Sequence, residues 1–207
     1  MAHIPDGVLS APVLITGAIV SAGLLALSLR RLDDSRIPQA AVLSAAFFVS
    51  SLVSVPLGPS SVHLLLNGLM GLMLGLMAVP ALLVALILQA SLFGHGGLTV
   101  LGVNLMNLAL PAVLCAALLR PRLARLNDRR AWWLGAAAGA LGALMTGALV
   151  VATLALSGDE FVPAAQVVAL TFLPLALAEA LIGGVIVGFL YRVEPETLAL
   201  PAGADDG

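Results

Sequence analysis

Seven apolar runs constrain this chain more than anything else in it. They cover about 11–28, 38–55, 62–77, 79–92, 103–119, 132–156 and 162–191, with short polar punctuation between them. A helix that crosses a bilayer needs roughly 20 apolar residues, and backbone groups in lipid must be satisfied inside the protein, which favours helices. The composition agrees: 61% of residues are hydrophobic and 10% charged, where ordinary soluble domains carry about 25% charged. The predicted fold is all-α, an integral membrane bundle of about seven transmembrane helices. The third and fourth runs are short, and Pro80 between them marks either a tight turn or a break, so six spans is the alternative.

Arginine placement supplies an orientation. Arg30, Arg31 and Arg36 lie between the first and second runs, Arg120, Arg122, Arg125, Arg129 and Arg130 between the fifth and sixth, and Arg192 follows the last. Seven spans put every cluster on one side, which the positive-inside rule makes cytoplasmic. The amino terminus is then outside and the carboxyl terminus in the cytoplasm. Residues 1–192 form one transmembrane domain in this reading, and 193–207 are expected to be a disordered cytoplasmic tail. The five arginines before the sixth run are placed to meet lipid phosphates or a partner. A net charge of −2 offers no footprint for nucleic acid, and without a basic region ahead of the first run no cleaved signal peptide is expected. Cys115, the single cysteine, lies in an apolar run and reads as a small buried hydrophobe.

Polar residues at membrane depth are expensive and point to function. The three histidines, His3, His63 and His95, all fall on the outer side of the seven-span topology. Residues 1–10 form a tail in which a terminal amine, backbone amides and the His3 imidazole make a chelating set for Ni(II), Cu(II) or a similar divalent ion. If Met1 is retained, His3 is third in the chain and the tail alone fills four planar positions. If Met1 is removed, Ala2 supplies the amine, three donors result, and His63 is the natural fourth nitrogen. A histidine near a chain end is also simply exposed, and an apolar-flanked one is also a hydrogen-bonded structural residue.

Other polar residues extend this set. Asn67, four residues after His63, shares a face with it on a helix and either orients its imidazole or bonds another helix. Asp6 either bonds the His3 imidazole or caps the first helix. His95, within Gly94–Gly97, sits in a loop that either closes over a ligand or is punctuation; Asn104 and Asn107 open the helix that follows. Glu179 is the one charged residue deep in a run, read as neutral and hydrogen-bonded, paired, or part of an ion path. Its place in the inner half of its span puts it far from both His3 and His63, which argues against an intramembrane hydrolase. Ala18, Ala22 and Ala26, and again Ala41 and Ala45, recur every four residues as small stripes that let helices approach closely, within the bundle or against a partner.

Three motifs in order carry a resemblance: His3-Ile-Pro-Asp-Gly7, Ser61-Val-His-Leu-Leu-Leu-Asn-Gly-Leu69 and Phe93-Gly-His-Gly-Gly-Leu-Thr-Val-Leu-Gly-Val-Asn104. With these the chain, from His3 to about Tyr191, resembles the CbiM/NikM family, the substrate-capture subunits of cobalt and nickel energy-coupling-factor transporters. The resemblance implies that the transported ion, Ni(II) or Co(II), is held by the Ala2 amine, the His3 amide and imidazole, and His63, with no cofactor; the polar residues read above, Asp6, Asn67, His95 and Asn104, are the candidates to support or cover these ligands. The family begins Met-His where this chain begins Met-Ala-His; removal of Met1 restores the family arrangement. The implied partners are membrane lipid, a transmembrane coupling subunit, two cytoplasmic ATPases and often a small accessory membrane protein, in a bacterial or archaeal cytoplasmic membrane. The chain has no P-loop pattern and no lysine to complete one, so it is not expected to be an enzyme. A stand-alone secondary metal transporter and, behind it, an intramembrane metal-dependent hydrolase are the alternatives. Ligand nitrogens must lose protons to bind metal, so affinity is expected to fall in acid.

Overall fold

The computed structural model describes residues 4–52, 55–57, 60–125 and 128–198. Its helices are α1 (Ala11–Leu29), α2 (Ile37–Leu52), α3 (Asn67–Leu74), α4 (Ala78–Phe93), α5 (Leu101–Leu119), α6 (Asp128–Ala155) and α7 (Val162–Val193). A small antiparallel hairpin, β1 (Val55–Leu57) and β2 (Ser60–Val62), joins α2 to the segment before α3. Five stretches are long and apolar enough to cross a membrane: Ala11–Leu29, Asn67–Phe93, Leu101–Leu123, Arg130–Ala155 and Asp159–Val193. Along α7, Leu170, Leu173, Leu177, Leu181, Val185 and Phe189 form an exposed apolar stripe, which water would not tolerate at this extent and lipid does.

The third predicted run folds differently from a full span. Residues 63–66 are non-helical and α3 begins only at Asn67, so α3 is an eight-residue half-helix, about 12 Å long. All eight of its residues are buried. The break after it falls at Gly75, whose φ of 63° suits glycine, and not at Pro80. Pro80 sits in the first turn of α4, where its missing N–H goes unneeded.

Packing centres on α6. Its small residues let backbones touch: a Cβ added at Gly139 would meet the Glu179 carbonyl of α7, one at Gly135 would meet the Gly183 carbonyl, and one at Gly68 of α3 would meet the Ala138 carbonyl. α6 therefore lies backbone to backbone against α7 on one side and α3 on the other. Of the alanine stripes read from the sequence, Ala18 takes part in such an approach, its backbone meeting a Cβ added at Gly102 of α5, while Ala22, Ala26, Ala41 and Ala45 are exposed; α1 buries Val13, Gly17, Ser21 and Ser28 as well.

Arginines gather around the α3–α4 turn. Arg36 Nη2 donates to the Met73 carbonyl at 2.6 Å and to Gln39 Oε1 at 2.9 Å, and the Arg120 guanidinium lies against Gly75. Both cations thus stand at the C-terminal end of α3, where the helix dipole favours positive charge. In the loop before α2, Ser35 donates from its amide and hydroxyl to Asp33, holding that carboxyl below its usual range. At the chain's other end, Pro195–Leu198 make a turn with Leu198 fully buried, and Gln39 Nε2 donates to the Thr197 carbonyl at 2.6 Å. Packing therefore continues past 193, where the sequence places the start of the tail; residues 199–207 lie outside the described residues.

Candidate functional site

The amino-terminal segment is built into the bundle from Ile4 onward. Ile4 is buried, its N–H donates to Asn104 Oδ1 at 3.1 Å, and its carbonyl accepts from Asn104 Nδ2 at 3.1 Å. One carboxamide thus satisfies both backbone groups of Ile4, as a neighbouring strand would. Asp6 docks beside it, accepting from the Thr99 hydroxyl and from Val100 N at 3.2 Å. Val100 is the residue that opens α5, a position where negative charge is favourable. Asp6 therefore serves α5 and does not cap α1, whose N-cap Ser10 makes no side-chain cap bond. Gly97 is required here, because a Cβ would run into the Asp6 carboxyl.

His63 stands on the extended arm of residues 63–66. Its Nδ1 lies 2.9 Å from the Leu64 carbonyl, a contact that protonates Nδ1 and leaves the lone pair on Nε2. The same carbonyl accepts from Ser50 Oγ of α2 at 3.1 Å. Further along the arm, Leu65 N and Leu66 N both donate to the Glu179 carboxylate; Leu66 N lies 3.1 Å from each oxygen. Leu66 takes φ 50°, a left-handed conformation that such a residue adopts only when its surroundings dictate it. It turns successive N–H groups toward one anion.

Two expectations change with this arm. Glu179, expected far from His63, binds backbone two and three residues beyond it, because the arm descends into the bundle instead of starting a helix at the surface. Its oxygens are engaged on N–H groups, which is a stronger argument against a hydrolase than distance was. Asn67 is not one helical turn beyond His63, since residues 63–66 are not helical, and of its two expected roles it takes the interhelical one: Nδ2 donates to the Leu108 carbonyl at 3.0 Å and Thr146 Oγ1 at 2.8 Å, and Oδ1 accepts from Gly68 N.

His95 follows the left-handed Gly94 that ends α4, and its amide donates to the Gln89 carbonyl. Its ring lies 6.0 Å from that of Phe93, which in turn meets Phe48 of α2 at 5.5 Å. Gln89 and Asn107, buried on α4 and α5, make no side-chain hydrogen bond among the described residues. Thus one end of the bundle holds His63, His95 and the Asp6–Asn104 latch on Ile4. Ala2 and His3 lie outside the described residues. Among those described, no three His, Cys, Asp or Glu side chains gather to hold an ion, so any ion at His63 needs donors from elsewhere.

Apolar outer faces around a buried, hydrogen-bonded polar set at one end define a multi-pass membrane protein. Comparison with known proteins narrows this: residues 3–197 match the family described as CbiM, cobalt uptake substrate-specific transmembrane region, and the chain belongs to that family. A putative metal transport protein of Haemophilus influenzae is 38% identical over 95% of this chain and 96% of its own length. The fused nickel transport protein NikMN of Rhodobacter capsulatus is 32% identical over 95% of this chain, which spans 64% of that longer protein. A crystal structure of a truncated transition metal transporter superposes with a TM-score of 0.74 at 25% identity, covering 92% of this chain and 98% of the other.

Proposed function

We propose that this chain captures Ni(II) or Co(II) as the substrate-binding component of an energy-coupling-factor transporter, with the Ala2 amine, the His3 amide and imidazole and His63 Nε2 as the four nitrogens. The observation that carries the reading is the double hydrogen bond of Asn104 to Ile4. It fixes the residue covalently bonded to His3, so a chelate built from the chain end enters at the end of the bundle that also holds His63. The Nδ1 contact of His63 supports it further, since a ligating imidazole ordinarily gives its second N–H to a carbonyl or carboxylate. Nitrogen donors of this kind suit Ni(II) and Co(II) better than hard cations. Energy comes from two separate ATPases through a coupling subunit, and a small accessory membrane protein completes the assembly.

Intact mass, amino-terminal sequencing and metal content of the purified chain test the site. A chain that starts at Ala2, carries one nickel or cobalt and loses it on His63→Ala agrees with the proposal. Retained Met1 with metal still bound in His63→Ala means that the first three residues form the chelate alone. Uptake in cells should require co-expressed ATPase and coupling subunits; proton-driven uptake by this chain alone would mark a secondary transporter.

A further inference from the structure

The arm that carries His63 has little of its own to hold it. Residues 63–66 are neither helix nor strand, and their backbone polar groups lie beside half-helix α3 inside the bundle, where an unsatisfied N–H is costly. The Leu64 carbonyl is shared by Ser50 and by His63 itself, and the Leu66 carbonyl accepts from Met70 N within the first turn of α3. The Leu65 and Leu66 N–H groups depend on one side chain, Glu179, which is 1% exposed and reaches them from α7 across more than 110 residues of sequence. That reach exists because α6 and α7 touch at Gly139 and the Glu179 carbonyl, and α6 and α3 touch at Gly68 and Ala138.

We infer that Glu179 is a positioning residue of the ion site: by gripping Leu65 and Leu66 it sets the arm so that His63 meets the ion, making α7 part of ion capture without contributing a ligand. This rests on the reading of His63 as an ion ligand. Both carboxylate oxygens receive N–H donors. A carboxamide in their place keeps one oxygen for the Leu65 and Leu66 N–H groups and turns an NH2 group toward the Leu66 N–H that Oε2 accepts. The arm would then shift, and with it the direction of His63 Nε2. A mere structural tie would lower stability alone, whereas a positioning role changes the metal's ligand field.

The test is Ni(II) chloride titration of the purified full-length chain, read by affinity and by the ligand-field absorption of bound nickel, with thermal midpoints recorded alongside. Glu179→Gln should bind nickel about 10- to 100-fold more weakly, the cost usual for groups that orient a ligand, with a shifted absorption band. Ser44→Ala, which removes the Ser44 hydroxyl bond to the Ala81 carbonyl away from the arm, should change the thermal midpoint at most. Where Glu179→Ala fails to fold, Glu179→Gln gives the reading. A folded Glu179→Gln protein with wild-type affinity and spectrum overturns the inference, as does an affinity loss that only tracks the midpoint and leaves the spectrum intact. If His63→Ala binds nickel as wild type does, the His63 site itself is wrong, a result that no Glu179 variant would mimic.

Discussion

α1 and α6 carry the same kind of sequence signal and use it to different extents. Each repeats small residues at helical spacing, Ala18, Ala22 and Ala26 in one and Gly135, Gly139 and Gly142 in the other. In α6 the small positions are where two neighbouring backbones touch; in α1 Ala18 lies against Gly102 of α5, while Ala22 and Ala26 face outward. The difference lies in what must be approached. α6 is sandwiched between α7 and α3, and a glycine removes the last atom between backbones on both sides, whereas α1 meets one neighbour, α5, through Gly17, Ala18 and Ser21, whose hydroxyl donates to the Gly102 carbonyl. Small residues mark where close approach is permitted, and the neighbouring helices decide whether it happens.

Substitutions can break this contrast. Gly139→Leu should have the largest effect, since its side chain must displace the α7 backbone; overpacking of this kind costs about 3 kcal/mol or more, and little folded protein should survive size-exclusion chromatography in detergent. Asn67→Ala keeps the seam but removes its polar tie to the Leu108 carbonyl of α5 and the Thr146 hydroxyl of α6. A loss of about 1–3 kcal/mol is expected, seen as a lower thermal midpoint. Ala22→Leu, on the outward face of α1, should stay within about 0.5 kcal/mol of wild type. The same variant in the assembled transporter reads whether a partner sits on that stripe, because uptake would fall while the chain's own midpoint stays.

Helix placement was largely legible in the sequence. The run at 103–119 became Leu101–Leu119 and that at 162–191 became Val162–Val193, because an apolar run between polar ends has few other solutions in a membrane. The run at 62–77 misled, since apolar character is the same for a buried extended arm and a buried helix. Only the backbone of Leu66 and the break at Gly75 separate them. The candidate site was legible as a set of residues and not as a set of contacts. Asp6 stood out as a carboxylate near a chain start, yet its partners Thr99 and Val100 lie 93 and 94 residues away. Glu179 stood out as a charge in an apolar run, but nothing local names a partner 114 residues back. Long-range hydrogen bonds of this type are decided by packing, here by the glycines of α6.

The half-helix α3 also imposes an order on synthesis. The arm and α3 leave the ribosome before α6 and α7 exist, and the eight-residue α3 reaches spanning length only together with α4, in the stretch Asn67–Phe93. Its arm, moreover, has N–H groups whose acceptor, Glu179, is made more than 110 residues later. Residues 63–74 must therefore settle late, after the last helix has inserted. A nascent chain stopped before α7 would hold most of its spans without the carboxylate that the Leu65 and Leu66 N–H groups bind, so the shape of the His63 arm is the last part of the fold to be made.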